Sequence, residues 1–416
     1  MMKLPSGWRK ISLDELAEIQ TGVAKNESIT GDMIEVPYLR VANVQDGYID
    51  LSELKTIKIL RSRLESFRLQ EDDVLLTEGG DFDKLGRGAV WSGEINPCVH
   101  QNHIFVARPN QSKLIPRFLS QQTGSAYGKK YFLQCSKQST NLASINSTQL
   151  RQFPVILPTL SEQKAIISLL STWDAAIEKT ERLIAAKEKM FKELLNSQII
   201  TPTLGNKWKK HNLYNVFEPV SRKNTIGETN ILTSSARHGL VSQLKYFKKS
   251  VSAEDVSGYY LLKNGEFAYN RSSSNGYPYG AIKRLDEGER GVLSTLYLCM
   301  RLKNHIESNS DFYVYVFESG ILNRELVLIC QEGARSHGLL NLTKEDFYSL
   351  QVPTPPRATQ DEIAEKLNLA RKEITLIEEI VNRYKLQKRG LMQKLLTGEW
   401  RIRPEIVRKF EEAQDE

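Results

Sequence analysis

The stretch LSEQKAIISLLSTWDAAIEKTERLIAAKEKMFKELLNSQII, Leu160 to Ile200, decides how this chain folds. Starting at Ile166 and stepping alternately by four and three gives Leu170, Trp173, Ile177, Thr180, Ile184, Lys187, Phe191 and Leu194. Apolar side chains at this alternation form a stripe along one helix face, and burying it takes another helix of similar pitch. Thr180 and Lys187 interrupt the stripe. The same rule holds near the C-terminus for Ile363, Leu367, Ala370, Ile374, Ile377, Val381, Tyr384, Lys388, Leu391 and Leu395, and adding 197 to each member of the first set gives the second through Leu391. Ser161 to Gln163 and Thr359 to Glu362 offer each helix a hydroxyl N-cap with early carboxylates. At ~1.5 Å per residue, roughly 35 residues make a rod of about 50 Å, and two such rods can lie side by side as an antiparallel coiled coil. The alternative is that each helix packs on a globular domain of its own.

Working outward, the self-similarity runs past the helices. GWRKISLDELAEI (Gly7 to Ile19) aligns with KWKKHNLYNVFEP (Lys207 to Pro219), pairing Trp8 with Trp208 and Leu13 with Leu213. NSTQLRQFPVILPT (Asn146 to Thr159) aligns with NLTKEDFYSLQVPT (Asn341 to Thr354), pairing Asn146 with Asn341 and Pro158 with Pro353. Between these anchors the halves diverge, which suggests one scaffold presenting two different surfaces. The link TPTLGNK (Thr201 to Lys207) joins them, with Pro202 and Gly205 ending the first helix. The tail from Pro404 reads as frayed or weakly helical.

The first middle reads as short strands bounded by Gly, Pro and Asn: VPYLRVANV (Val36 to Val44), DVLLT (Asp73 to Thr77), GAVWSG (Gly88 to Gly93) and HIFVARP (His103 to Pro109). Between two of them lies EGGDFDKLGRG, Glu78 to Gly88. It lacks the G-K-[ST] ending and following helix of a nucleotide P-loop, so it is either a plain turn or a loop that brings Lys84 and Arg87 to a duplex. In the second middle, GEFAYNRSSSNGYPYGAIKRL (Gly265 to Leu285) gathers Asn270, Arg271, Ser272, Ser273, Ser274, Asn275, Tyr277 and Tyr279 without an acidic residue. Such side chains suit phosphates and base edges, and also any long surface loop. GVLSTLYLCMRL (Gly291 to Leu302) reads as buried strand. GARSHGLLNLT (Gly333 to Thr343) reads as a basic loop whose first-half counterpart is KQSTNLASINST (Lys137 to Thr148).

Composition sets bounds. The 416 residues exceed one compact core, and a prior of roughly 150 per domain suggests two or three. A net charge of +7 is compatible with a polyanionic partner but does not require one. No apolar run approaches the ~20 residues of a membrane span, and MMKLPSGWRK has no signal-peptide core, so a cytoplasmic protein is expected. Cys98, Cys135, Cys299 and Cys330 are scattered, without a C-x-x-C pair. The six histidines, among them His100 and His103, have no metal-ligand spacing; these two are expected to pack or hydrogen-bond locally. Amino-methyltransferase, S-adenosylmethionine-binding, Walker A and nuclease motifs are all missing.

Taken in order, LLTEGGDFDKLGRGAVW (Leu75 to Trp91), VHQNHIFVARP (Val99 to Pro109) and FPVILPTLSEQKAI (Phe153 to Ile166), then FAYNRSSSNGYPYGAIKRL (Phe267 to Leu285), GVLSTLYLCMRL and LQKRGLMQKLLTGEW (Leu386 to Trp400), resemble the DNA-specificity subunit of a type I restriction-modification enzyme across the whole chain. One departure is that the first helix ends NSQII where the second has LLTGEWRI.

The resemblance implies an α+β fold: two tandem mixed α/β target-recognition domains joined by two long helices in an antiparallel intramolecular coiled coil, a pseudo-twofold repeat. The recognition domains would be residues 1–158 and 207–355, the spacer helices 159–200 and 356–400, with a linker at 201–206 and a tail at 401–416. It implies a non-catalytic subunit that reads a bipartite, asymmetric target in double-stranded DNA. Two methyltransferase subunits and the restriction/translocase subunits would be its partners, and S-adenosylmethionine, ATP and Mg would sit on those partners rather than on this chain. Candidate DNA contacts are Arg40, Asn43, Lys84, Arg87, Gln101, Asn102, Ser139, Thr140 and Asn141 in the first half. In the second they are Asn270, Arg271, Ser272, Ser273, Ser274, Asn275, Tyr277, Lys283, Arg335, Ser336 and His337. Lys84, Arg87, Arg271 and Lys283 are nominated for phosphates. Two rival readings stay open: the recognition half of a fused restriction-methyltransferase, and a coiled-coil scaffold that binds protein.

Overall fold

A computed structural model describes residues 4–24, 31–80, 82, 85–138, 143–235, 239–246, 255–273, 276–332 and 340–412. The chain divides into two units, Met1–Glu181 with Glu379–Glu416, and Arg182–Glu378. The division falls within both long helices, Leu160–Leu195 and Arg357–Leu395, so each unit holds part of each.

In the first unit Ile166 and Leu170 of the first long helix are buried in one core with Leu395 of the second, and the half-buried Leu391 packs against it. Trp173 meets Tyr384 edge-on with ring centroids 5.7 Å apart. In the second unit Phe191 shares a core with Ile363, Leu367 and Ile374, while Ile184 and Ala370 pack against it. The start of one helix therefore pairs with the end of the other in both units, which is the antiparallel arrangement. Ile177, Ile377 and Val381 lie on the same faces, half-buried or buried. The polar interruptions have partners: Lys187 Nζ is 2.7 Å from Glu373 Oε1, Lys388 Nζ is 2.5 Å from Asp174 Oδ1, and the Thr180 hydroxyl donates to the Ala176 carbonyl oxygen. A seam lysine is tolerated because its stem packs while its ammonium reaches a carboxylate at the edge.

The two units share more than their sequences suggest. A four-stranded antiparallel sheet in the first runs Ala17–Thr21, Ile104–Pro109, Val74–Thr77, Gly88–Val90; in the second it runs Phe217–Pro219, Leu298–Leu302, Phe267–Asn270, Ala281–Arg284. Below each, an entry strand pairs antiparallel with the strand that precedes a long helix: Arg9–Ser12 with Pro154–Leu157, and Lys210–Asn212 with Gln351–Pro353. The Leu13 amide then donates to Phe153 and the Leu213 amide to Leu350, at 3.0 and 2.7 Å.

A glutamine fixes each long helix to the turn that enters a shorter helix of its unit, Pro116–Gly124 in the first and Ser310–Glu318 in the second. Gln163, fully buried, accepts from the Ile115 amide at 2.9 Å and donates to the Lys113 and Pro158 carbonyls. Gln360, 197 positions later, accepts from Asn309 at 2.8 Å and donates to Glu307 and Pro355. Burying an amide this deeply is tolerable because both its ends are bonded.

Several local expectations are corrected. Ser161 and Thr359 are not caps: the first helix is capped two residues earlier by Thr159, whose hydroxyl accepts from the Glu162 amide at 3.3 Å, and the second begins at Arg357 behind Pro355 and Pro356. Pro202 does not end the first helix. The chain widens into a π-turn at Asn196–Ile200, where the Thr201 amide reaches back to Asn196, and a further turn spans Thr201–Leu204. Widening the helix just ahead of a residue that has no N–H accommodates the proline. Gly291 to Leu302 is two strands, Arg290–Leu293 and Leu298–Leu302, parted by a turn in which the Tyr297 amide donates to Ser294. The tail forms a helix, Pro404–Glu412, with Val407 buried.

Candidate nucleic-acid interface

In the first unit Val74–Thr77 leaves the sheet at Glu78 and continues as Gly79–Gly80, to which Ala143–Ser144 pairs antiparallel, with Lys137–Gln138 pairing antiparallel on its far side. The Ile145 amide donates to the Glu78 carbonyl oxygen at 2.9 Å, with Ala143 and Ile145 buried in the core. The second unit repeats this join. Phe267–Asn270 ends at Arg271, whose carbonyl oxygen accepts from the Leu340 amide at 2.9 Å, and Leu340–Asn341 pairs with Gln331–Glu332. One strand end, extended by one hairpin, thus carries different side chains in the two units.

Around the first join is a cavity of about 530 Å³, lined by Val41, Glu78, His103, Lys137, Gln138 and Ser144 among others. His103 Nδ1 lies 2.5 Å from Glu78 Oε2, at the protein surface. A carboxylate so held can accept from the exocyclic amine of a base, and Lys137 supplies an exposed cation at the rim. Neither Glu78 nor His103 is among the candidate DNA contacts that the sequence suggests. They are 25 residues apart, so nothing local marks them as a pair.

The nominated residues fall into three groups. Ser139, Thr140, Asn141, Lys84, Ser274, Asn275, Arg335, Ser336 and His337 lie outside the described residues. A second group is tied into the fold. Asn43 is buried, accepting from the Arg40 amide and donating to the Asp50 and Glu53 carbonyls. Arg40 reaches the Glu53 carbonyl and carboxylate, both at 3.2 Å. Arg271 donates to the Leu296 and Leu342 carbonyls, and Asn270 accepts from the Ser272 amide. The third group is half-buried or exposed near the strand ends. Gln101 and Asn102 occupy the turn into Ile104–Pro109, their amides donating to Leu39 and Val23. Arg87 is half-buried with its Nε–H unbonded. Ser272 and Ser273 follow the second strand end. Lys283 Nζ lies 2.9 Å from the Tyr277 hydroxyl and 4.8 Å from that ring's centre.

Two glycines hold these loops close. Gly86 has φ +64° and Gly280 φ +76°; a Cβ would strike the Phe132 ring at the first and the Asn270 carbonyl at the second. His100 points inward. Burial lowers its pKa to about 4, against the raising effect of its bond to the Ile104 carbonyl. Among the described residues no group of three or more His, Cys, Asp or Glu could hold a metal ion, and no helix is long and apolar enough to cross a membrane.

Residues 5–188 match the family model described as the type I restriction modification DNA specificity domain. The first half of the chain is such a domain. The likeness extends further. The chain is 24% identical over 432 residues to the putative type I restriction enzyme MjaX specificity subunit of Methanocaldococcus jannaschii, covering 96% of this chain and 95% of that one. It is 21% identical over 216 residues to the EcoKI specificity subunit of Escherichia coli K12, covering 50% of this chain and 45% of that one. Two solved structures share the fold: a chain from work on assembly and conformational transition of the type I R-M system (TM-score 0.56, 14% identity, 96% of this chain, 100% of that one), and the type I S subunit of M. genitalium (TM-score 0.50, 13% identity, 94% and 97%). The specificity-domain match ends at residue 188, within the first long helix, and the second unit repeats the same sheet and join.

Proposed function

We propose that the chain reads a bipartite, asymmetric site in double-stranded DNA, one half per unit, and holds two methyltransferase subunits through its paired helices. The observation that supports this reading is the repeated join: the bonds from Ile145 to Glu78 and from Leu340 to Arg271 tie the base of a hairpin to a strand end in the same way twice, while the side chains around it differ. Equal scaffolds with unequal reading surfaces suit a target whose halves are unlike. Glu78, Gln101 and Asn102 in one unit, and Ser272, Ser273 and Lys283 in the other, supply the polar edges and cations that base and phosphate recognition requires.

Methylation and cleavage would fall to the partners, which bring S-adenosylmethionine, ATP and Mg. Docking is supported by apolar residues on the outer helix faces. Leu169, Leu183 and Met190 are exposed on the first long helix; on the second, Leu369 is 70% exposed and Leu376 and Ile380 are exposed too. Scattered exposed leucines are ordinary, but a row on a helix already packed on its other side is what a further helix would cover.

The test is to express the chain with its methyltransferase subunit and map methylated bases by single-molecule sequencing. A single bipartite, non-palindromic motif is expected. A palindromic motif, or site-independent binding that salt abolishes, would refute the reading.

A further inference from the structure

Just ahead of its entry strand each unit carries a tryptophan, Trp8 or Trp208, near the turn that Gln163 or Gln360 clamps. In the first unit the indole N–H is already engaged, and the cavity beside it, of about 510 Å³, is walled by Arg401, Ile402 and Val407 of the chain's own C-terminal segment. Trp8 Nε1 donates to Glu162 Oε2 at 3.1 Å, and Arg401 donates to the other oxygen of the same buried carboxylate. Burial alone would raise the Glu162 pKa, but the bonds from Arg401, Trp8 and Thr159 hold it below the ordinary glutamate value. Gly398, at φ +75°, backs onto Pro5 and Trp8, Ile402 packs against the core, and Val407 of Pro404–Glu412 is buried. A peptide segment of the chain itself packs on this side.

Among the described residues the second unit has neither the carboxylate nor the segment. The residue before Gln360 is Thr359, and the chain leaving the first long helix runs through Thr201–Leu204 directly into Lys207 and Trp208. The Trp208 ring packs edge-on against Phe312, while its indole N–H has no acceptor among the described residues. What remains is a cleft of about 770 Å³. Lys207 and Lys209 stand exposed on it, without an ion-pair partner among the described residues, and Lys303 Nζ lies 4.0 Å above the Tyr214 ring. Arg357 is already held by Asp361 and by the His305 and Ile306 carbonyls, and Glu307 is the one acidic residue among those described in the lining. At the rim Ile306 is 83% exposed.

We propose that this cleft is a docking site for an acidic peptide of a partner subunit, a reading that rests on the assembly proposed above. An indole N–H and three ammonium groups call for carboxylates, as Trp8 and Arg401 already take one in the first unit. A peptide fits better than a DNA backbone. The equivalent space takes a peptide whose Ile402 and Val407 bury apolar surface, and Ile306 offers apolar surface that a phosphate chain would leave uncovered. This lysine-lined cleft belongs to the second unit, so it would be filled once per chain even where two methyltransferase subunits bind.

The test places p-benzoylphenylalanine at position 306 in the full chain, assembles it with its methyltransferase subunit and target DNA, and maps the photo-cross-link by mass spectrometry. A cross-link to a partner segment holding two or more Asp or Glu residues is expected; one to DNA, to a segment without carboxylates, or to nothing overturns the proposal. In parallel, Lys207→Glu with Lys209→Glu should weaken methyltransferase binding at least tenfold, while the Lys→Arg pair stays within twofold of the unaltered chain. Intact assembly with weakened DNA binding in the Glu variant would make the cleft a phosphate site and overturn the proposal. Failure of the unaltered chain to assemble at all would overturn the functional reading along with it, so the two failures are told apart.

Discussion

The His100 imidazole is sealed in the fold with Nδ1 held 2.9 Å from the Ile104 carbonyl oxygen, whereas His103, three residues on, faces solvent against Glu78. Nothing in VHQNHIF separates the two, since the turn at Gln101 and Asn102 breaks the alternation that would say which faces inward. The difference has a measurable consequence. An unfolded chain protonates His100 near the ordinary value of ~6.5, but the folded chain resists until about 4. As pH falls through that window the unfolded state binds more protons, so stability is lost, by on the order of 3 kcal/mol. His100→Asn should be less stable than the unaltered chain at pH 7 yet show a shallower fall in Tm between pH 6.5 and 4.5. Equal slopes in the two chains would remove His100 from the account. The asymmetry beside Trp8 and Trp208 was also hidden: the aligned tryptophans were legible, but Glu162 against Thr359 gains meaning once the C-terminal segment is seen to close on the carboxylate.

The long helices were the most legible elements, because burial on one face imposes a period that survives sequence divergence. Their seam positions are buried or half-buried in both units, including the lysines that looked like breaks. Shorter elements were read less well. The turn at Ser294–Tyr297 lacks glycine and proline, so two strands looked like one, and the π-turn at Asn196–Ile200 leaves no compositional mark. If the paired helices set the distance between half-sites, lengthening both should move the target. Four residues are about one turn and add ~6 Å, which moves each stripe only about 40° around its helix. Inserting four after Glu181 and four after Glu378 should widen the unread gap in the methylated motif by about two base pairs, at ~3.4 Å each. Methylation mapping reads this directly, and an unchanged gap with normal activity would show that the helices are not the ruler.

For the whole molecule, the question is whether each unit reads its half of the target independently. The middles share almost no sequence, yet the sheet order, the entry-strand pairing, the glutamine clamp and the hairpin join recur in both. Divergence erased the sequence signal because these contacts are mostly between backbone groups, which constrain geometry and leave side chains free. The boundaries of exchange follow from the same contacts. Leu13 with Phe153, and Leu213 with Leu350, are equivalent backbone-bonded pairs that close each head on its entry strand. Replacing residues 214–349 with a second copy of residues 14–152 should therefore preserve both helices and the second entry-strand pair. Under the proposed reading the two heads then recognise the same bases, and a pseudo-twofold repeat, as the family resemblance implies, would make the methylated motif an inverted repeat of one original half-site. Thermal unfolding and assembly with the methyltransferase subunit check that the chimaera is folded, and the reciprocal exchange should give an inverted repeat of the other half. A folded, assembled chimaera that still methylates the original asymmetric motif would mean that bases are read elsewhere in the complex.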